Sequence, residues 1–215
     1  MTHDEHSAHL EGEPTSEPEW TPDRLRTVLM ITYGTNAAGT GPDLGAVAAA
    51  IGVTSRTVRR WIQHNRPSGV SAQNLARVLA DSRPSEEALR DEASRRRYAE
   101  DASARIELPR GMGGTDMWRQ QGWLEPHVLA ILEVPELPLR RPVITRATAK
   151  ALDRLPKKRM VDHTLCQHRF AAELVKASLL EHVDAWRIQA PDGTTGRTET
   201  WFADAPLPPL PATHD

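Results

Sequence analysis

Apolar positions recur with a helical period through the first third of the chain. Thr21-Pro22-Asp23 supplies a capping hydroxyl, a proline at the first helical position and an acid in the first turn; Leu25, Val28, Leu29 and Thr32 then share one face until Gly34. This predicts a helix over about 22–33. After the loop GTNAAGTG, Pro42 opens a second helix that runs to Ile51 and stops at Gly52, and Thr54 caps a third that reaches about His64. Pro67-Ser68-Gly69 reads as a turn, and Ser71 caps a fourth helix striped by Leu75, Val78 and Leu79. Four short helices predict a compact all-helical unit over 21–82.

The pattern changes from Pro84 to about Arg105. The run SEEALRDEASRRRYAEDASAR places Glu86 with Arg90, Asp91 with Arg95 and Glu92 with Arg96 at i,i+4 spacing, the mark of an exposed helix. Its apolar face (Ala88, Leu89, Ala93, Tyr98, Ala102) is too thin for a core element, so a linking helix or a partner surface is expected, and GMGG from Gly111 reads as a hinge, giving a linker over 83–116. A second domain is expected over 117–204. Val128 to Val134 is a helix or a buried strand, with the proline before it and its length favouring helix. Pro135, Pro138 and Pro142 predict an extended crossing, Thr145 caps a helix to Leu155, and a long helix from about Asp162 to Val183, apolar on several sides, forms the core. Trp186–Ala190 and Arg197–Phe202 flank the turn PDGTTG as a β-hairpin, and helices followed by a hairpin suggest a winged-helix arrangement. The expected class is mainly α: an N-terminal helical bundle, a linking helix, and a C-terminal α+β domain ending in a hairpin. The Pro-rich stretch 205–215 is expected to be an extended, unpacked tail.

Charge redraws this picture. The net charge of −2 over 215 residues hides an acidic stretch at 1–20 (Asp4, Glu5, Glu11, Glu13, Glu17, Glu19, with no Lys or Arg), expected to be disordered. Two basic patches follow. Arg56, Arg59, Arg60 and Arg66 lie in a segment without acids, and Arg140, Arg141, Arg146, Lys150, Arg154, Lys157, Lys158 and Arg159 face only Asp153. Nucleic acid is the natural partner of two separated positive patches, the bland alternative being a solvated face. No apolar run is long enough to cross a bilayer and the acidic N-terminus is unlike a signal peptide, so a cytoplasmic protein is expected. Cys166 is the sole cysteine, so neither an internal disulfide nor a cysteine-built zinc site is expected.

The informative segment is LGAVAAAIGVTSRTVRRWIQ, residues 44–63. It has a small residue at its fifth place (Ala48), glycine at its ninth (Gly52), and apolar residues at the fourth, eighth, tenth, fifteenth and eighteenth (Val47, Ile51, Val53, Val58, Trp61). It resembles the helix-turn-helix of DNA-binding regulators, with Trp61 larger than the aliphatic residue usual there. The resemblance implies a recognition helix in the major groove, and the composition is similar to that of regulators of phages or mobile elements in high-GC bacteria. Independently of the name, Ala48 suits a close helix crossing and Gly52 a left-handed turn. At 100° per residue Val58, Trp61 and Ile62 form one face, with Arg56, Arg60 and Gln63 opposite and Arg59 beside them. The expected roles are base edges for Arg56, Arg60 and Gln63, and the DNA backbone for Thr54, Ser55 and Arg59, with Arg140, Arg141, Arg146, Lys150, Lys157, Lys158 and Arg159 adding phosphate contacts.

Other constellations carry less. On a single helix, His163 and Cys166 share a face but His168 points away, so three metal ligands do not converge; Cys166 on an apolar helix is an inert thiol. Trp118, Trp123, Trp186 and Trp201 are expected to fill cores rather than stack on bases. With no clustered carboxylates, nucleophile or cofactor loop, a non-enzymatic protein without metal or cofactor is expected: a repressor binding double-stranded DNA, as a homodimer or with a protein partner through 84–105 or the C-terminal domain. Two rivals stand beside it, an accessory factor for replication, partition or recombination, and a sensor holding a small-molecule effector in its C-terminal domain.

Overall fold

The computed structural model describes residues 21–64, 70–107 and 115–211. The acidic 1–20 segment, the Pro67-Ser68-Gly69 turn, the GMGG hinge and the last four residues of the 205–215 tail lie outside them. Among the described residues eight helices accompany one four-stranded antiparallel sheet, an α+β fold. No helix there is long and apolar enough to cross a membrane.

The first helices form as their sequence dictates. α1 (Pro22–Tyr33) starts with the Thr21 side chain accepting from the Arg24 N–H and ends at Gly34. α2 (Leu44–Ile51) is capped by Asp43 rather than opened by Pro42 itself, and stops at Gly52, whose φ of 74° suits a residue without a β-carbon. α3 (Ser55–His64) begins after Thr54, whose hydroxyl accepts from the Thr57 N–H at 3.2 Å. α4 (Val70–Asp81) starts one residue before the cap expected at Ser71.

α5 (Glu86–Glu107) corrects the reading of a free linking helix. It docks along α8 (Arg169–His182), burying Ala99 and Ala102 with Trp118 and Phe170. Ion pairs make up for its thin apolar face: Glu92 takes both terminal nitrogens of Arg187, Arg95 reaches Glu199 and Arg96 reaches Glu181. Of the three expected i,i+4 pairs only Glu86–Arg90 forms, because Arg95, Arg96 and Glu92 serve these long-range partners.

After the short α6 (Thr115–Gln120) come β1 (His127–Glu133) and β2 (Leu139–Arg146), α7 (Ala149–Leu152), β3 (Met160–Cys166), α8 and the two-residue β4 (Trp201–Phe202), in sheet order β3-β1-β2-β4. Several expectations are decided or changed here. The apolar run Val128–Val134 is a strand, buried on both faces: Val128, Ala130 and Leu132 meet Leu152, Leu155 and Met160 around α7, while Leu129 and Ile131 pack with Val175 and Leu179 of α8. The prolines 135 and 138 sit in the β1–β2 hairpin turn, and Pro142 is tolerated in β2 because β4 covers only Leu139 and Arg140, leaving an edge beyond. The long helix from 162 is a strand followed by a helix, and Thr148, not Thr145, caps α7.

The expected 186–202 hairpin is an irregular loop. Its arms meet through an Arg187–Trp201 bridge and the bonds Ile188 N–H to Thr200 O and Ala190 N–H to Arg197 O, while Trp201–Phe202 pairs with β2 instead. The tail is packed as far as it is described: Ala205 is buried, Leu207 and Leu210 lie on the sheet's core, and the Thr164 hydroxyl donates to Pro211 O.

One hydrophobic cluster joins Leu25, Val28, Leu29, Val58, Trp61 and Val78 to Val134, Leu139, Ile188 and Phe202. The Arg24 guanidinium sits 4.0 Å over the Trp186 ring and donates to Asp204 at 2.7 and 2.9 Å. Gln189 N–H donates to Ser82 O, and Arg83 to Asp184. The helical bundle and the sheet thus share a core.

Candidate nucleic-acid interface

The α2–α3 pair is built for close approach. The Gly52 and Val53 N–H groups both donate to Ala48 O, turning the chain between the helices within three residues. The Ser55 hydroxyl donates to Leu44 O, and Asn74 of α4 donates to Ile51 O at the end of α2, fixing both ends of the pair. Val58, Trp61 and Ile62 are buried at 0%, 3% and 8% exposure, so Trp61 is accommodated in the core. Arg56, Arg59, Arg60 and Gln63 all lie exposed on the other side, Thr54 is exposed and Ser55 half-buried at the N-terminal end. Among the described residues the three arginines make no ion pair or side-chain hydrogen bond within the chain, unlike most of the arginines of α5. A ten-residue helix is about 15 Å long, and its outward surface carries three guanidinium groups and no carboxylate.

The sequence alone did not single out what flanks this face. A cleft of about 560 Å³ lies between Arg26 of α1, Asn36 and Thr40 of the loop before α2, and Arg59 and Gln63. The loop is held by Asn36, whose side chain accepts from the Thr40 N–H and whose own N–H donates to Gly41 O. The glycine-rich GTNAAGTG sequence was the available signal.

The second basic run does not stay together. Strand alternation puts Arg141 on the α7 face of the sheet beside Arg159, whereas Arg140 and Arg146 fall on the other face. Burial, and after it the nearby Arg159 charge, lower the Arg141 pKa from the ordinary guanidinium value; its Nη1 donates to Thr195 O. Arg140 is half-buried with its Nε unpartnered. Arg146 sits at the far end of β2, seven residues or about 23 Å from Leu139. There it donates to Gln121 O at 2.6 Å and lies over Gly122, where an added Cβ would come within 2.6 Å of the guanidinium. Lys157 is paired with Asp153. Lys150, Arg154, Lys158 and Arg159 make no side-chain hydrogen bond or ion pair with another described residue.

His163, Cys166 and His168 are not on one helix. His163 is exposed on β3, Cys166 turns into the core with its thiol pushed up to about 11 by burial, and His168 caps α8 through Nδ1, which accepts from the Ala171 N–H at 3.1 Å. No group of three or more His, Cys, Asp or Glu side chains among the described residues is arranged to hold a metal ion. No family model, no curated protein and no solved structure matches the chain.

Proposed function

We propose that the protein binds double-stranded DNA through a helix-turn-helix formed by α2 and α3, with α3 entering the major groove, and that it acts as a transcriptional repressor. The carrying observation is the α3 surface: Arg56, Arg59, Arg60 and Gln63 exposed and, among the described residues, without side-chain partners, opposite a buried Val58-Trp61-Ile62 face. Most of the other described arginines are held in internal ion pairs, whereas these three make none with a described residue and are available to an external polyanion. Arg56, Arg60 and Gln63 reach base edges, where Arg pairs with guanine and Gln with adenine; Thr54, Ser55 and Arg59 lie nearer the phosphates. Lys150, Lys158 and Arg159 on the α7 face supply the second set of phosphate contacts, and Arg140 and Arg146, held on the other face, contribute little. The reading includes no wing, because the 186–202 segment expected as the hairpin is an irregular loop that packs Ile188 and Phe202 against the bundle.

Selection of bound fragments from a random duplex library, followed by footprinting, tests this. A defined protected site is expected. Arg60→Ala should cost about 1–3 kcal/mol and relax preference at one base pair; equal losses on every sequence would make Arg60 a phosphate contact, and no protected site would refute the reading.

A further inference from the structure

A cavity of about 310 Å³ opens between α5 and α8, away from the basic surface of α3, walled by the rings of Tyr98, Trp123 and Phe170 and rimmed by Arg169 and Glu173. The rings come from three separate elements and are mutually fixed. Phe170 makes edge contacts with Tyr98 at 5.9 Å and Trp123 at 6.0 Å, the Tyr98 hydroxyl accepts from Trp118 Nε1, and Arg169 N–H donates to Trp123 O. Tyr98 is not core filling, since 48% of it is exposed against 3% for Trp118 and 2% for Phe170. Its size falls at the small end of ligand pockets, which suits a one- or two-ring molecule held by offset or edge stacking.

The charges choose among such molecules. Glu173 holds Lys176 at 2.8 Å and Arg169 only at 3.5 Å, so the half-exposed Arg169 can turn to another anion while Glu173 keeps a partner. Arg169 already lies 5.2 Å over the Trp123 ring and disfavours a cationic guest there; Arg95, the other cation at the rim, is paired with Glu199.

We infer that this cavity binds a small planar aromatic anion, its ring between Tyr98, Trp123 and Phe170 and its carboxylate on Arg169. The site is separate from the proposed DNA surface and stands whether or not that reading holds. The test is titration of 2-naphthoate into the full-length chain, followed by tryptophan fluorescence and calorimetry. Saturable one-to-one binding is expected, weakened at least tenfold in Arg169→Gln and in Tyr98→Ala, with 2-naphthylmethylammonium at least tenfold weaker than the acid. Arg169→Gln changes a half-exposed side chain, and unaltered circular dichroism would show its fold intact. Absence of saturable binding, an unchanged dissociation constant in Arg169→Gln, or equal binding of the cation would each overturn the inference.

Discussion

The Arg187–Glu92 pair decides whether α5 belongs to the body of the protein. The Arg187 side chain is 3% exposed and that of Glu92 15%; Nη1 and Nη2 donate to the two carboxylate oxygens at 2.8 and 2.5 Å, and Nη2 also donates to Thr198 O. Removing one member of a buried pair strands the other charge, so Arg187→Met should cost about 3–5 kcal/mol. With an m-value of about 2.5 kcal/mol/M, that moves the urea midpoint down by about 1.5 M. Arg187→Met with Glu92→Leu should recover at least half of the loss, since both charges are then gone and only the Thr198 carbonyl is left without its donor. Equilibrium urea unfolding followed by circular dichroism measures both. A cost below about 1 kcal/mol for the single variant, or a double variant no better than the single, would refute the account of α5 as a helix clamped by charge.

Gly52→Ala isolates a backbone effect: nothing lies within 4 Å of the added Cβ, yet φ is +74°, so a loss of about 1–2 kcal/mol in unfolding free energy is expected, and a neutral result would contradict the left-handed turn. His168 and His127 are held below the ordinary histidine pKa of 6.5, chiefly by burial. The unfolded chain therefore takes up protons first, and stability is full above about pH 6.5 and falls as the pH drops from there through the lowered folded-state values. His168→Asn, which keeps a capping acceptor but does not titrate, should flatten part of that fall in urea midpoints measured between about pH 7 and 5.5; an unchanged profile would remove His168 from the effect. Cys166, pushed up to about 11, should react with a thiol reagent at neutral pH only as fast as the protein unfolds, and fast reaction in the native state would contradict its burial.

The N-terminal bundle was legible because its signals are local. Thr21, Gly34, Gly52 and Thr54 act within a few residues of themselves, and the stripe Val58-Trp61-Ile62 is set by one helix. The sheet was not, for reasons visible in its residues. β1 is covered on both faces, so its apolar run has no period of two and reads equally as helix. β3 inverts the usual alternation, with Val161 and Leu165 exposed and Thr164 buried, so its apolar residues merged with those of α8 into one apparent helix. The docking of α5 depends on Arg187 and Glu199, about a hundred residues away, a relation that no window along the chain contains. The exposed arginine face of α3 could be drawn from helical geometry, whereas the division of the 140–159 run between two faces of a sheet required the strand itself.

The most direct test of the DNA reading needs no knowledge of the target: the dissociation constant for a random 20-base-pair duplex, measured by anisotropy across salt concentrations, for the full-length chain and for Arg56→Ala/Arg59→Ala/Arg60→Ala. On a duplex without the target site Arg56 and Arg60 rest on phosphates with Arg59, Lys150, Lys158 and Arg159; neutralising about six phosphates predicts a slope of log affinity on log salt near −5, and removing the three arginines should bring it to about −2.5. Equal slopes for the two proteins, or no measurable binding by the unaltered chain at low salt, would contradict a DNA-facing α3.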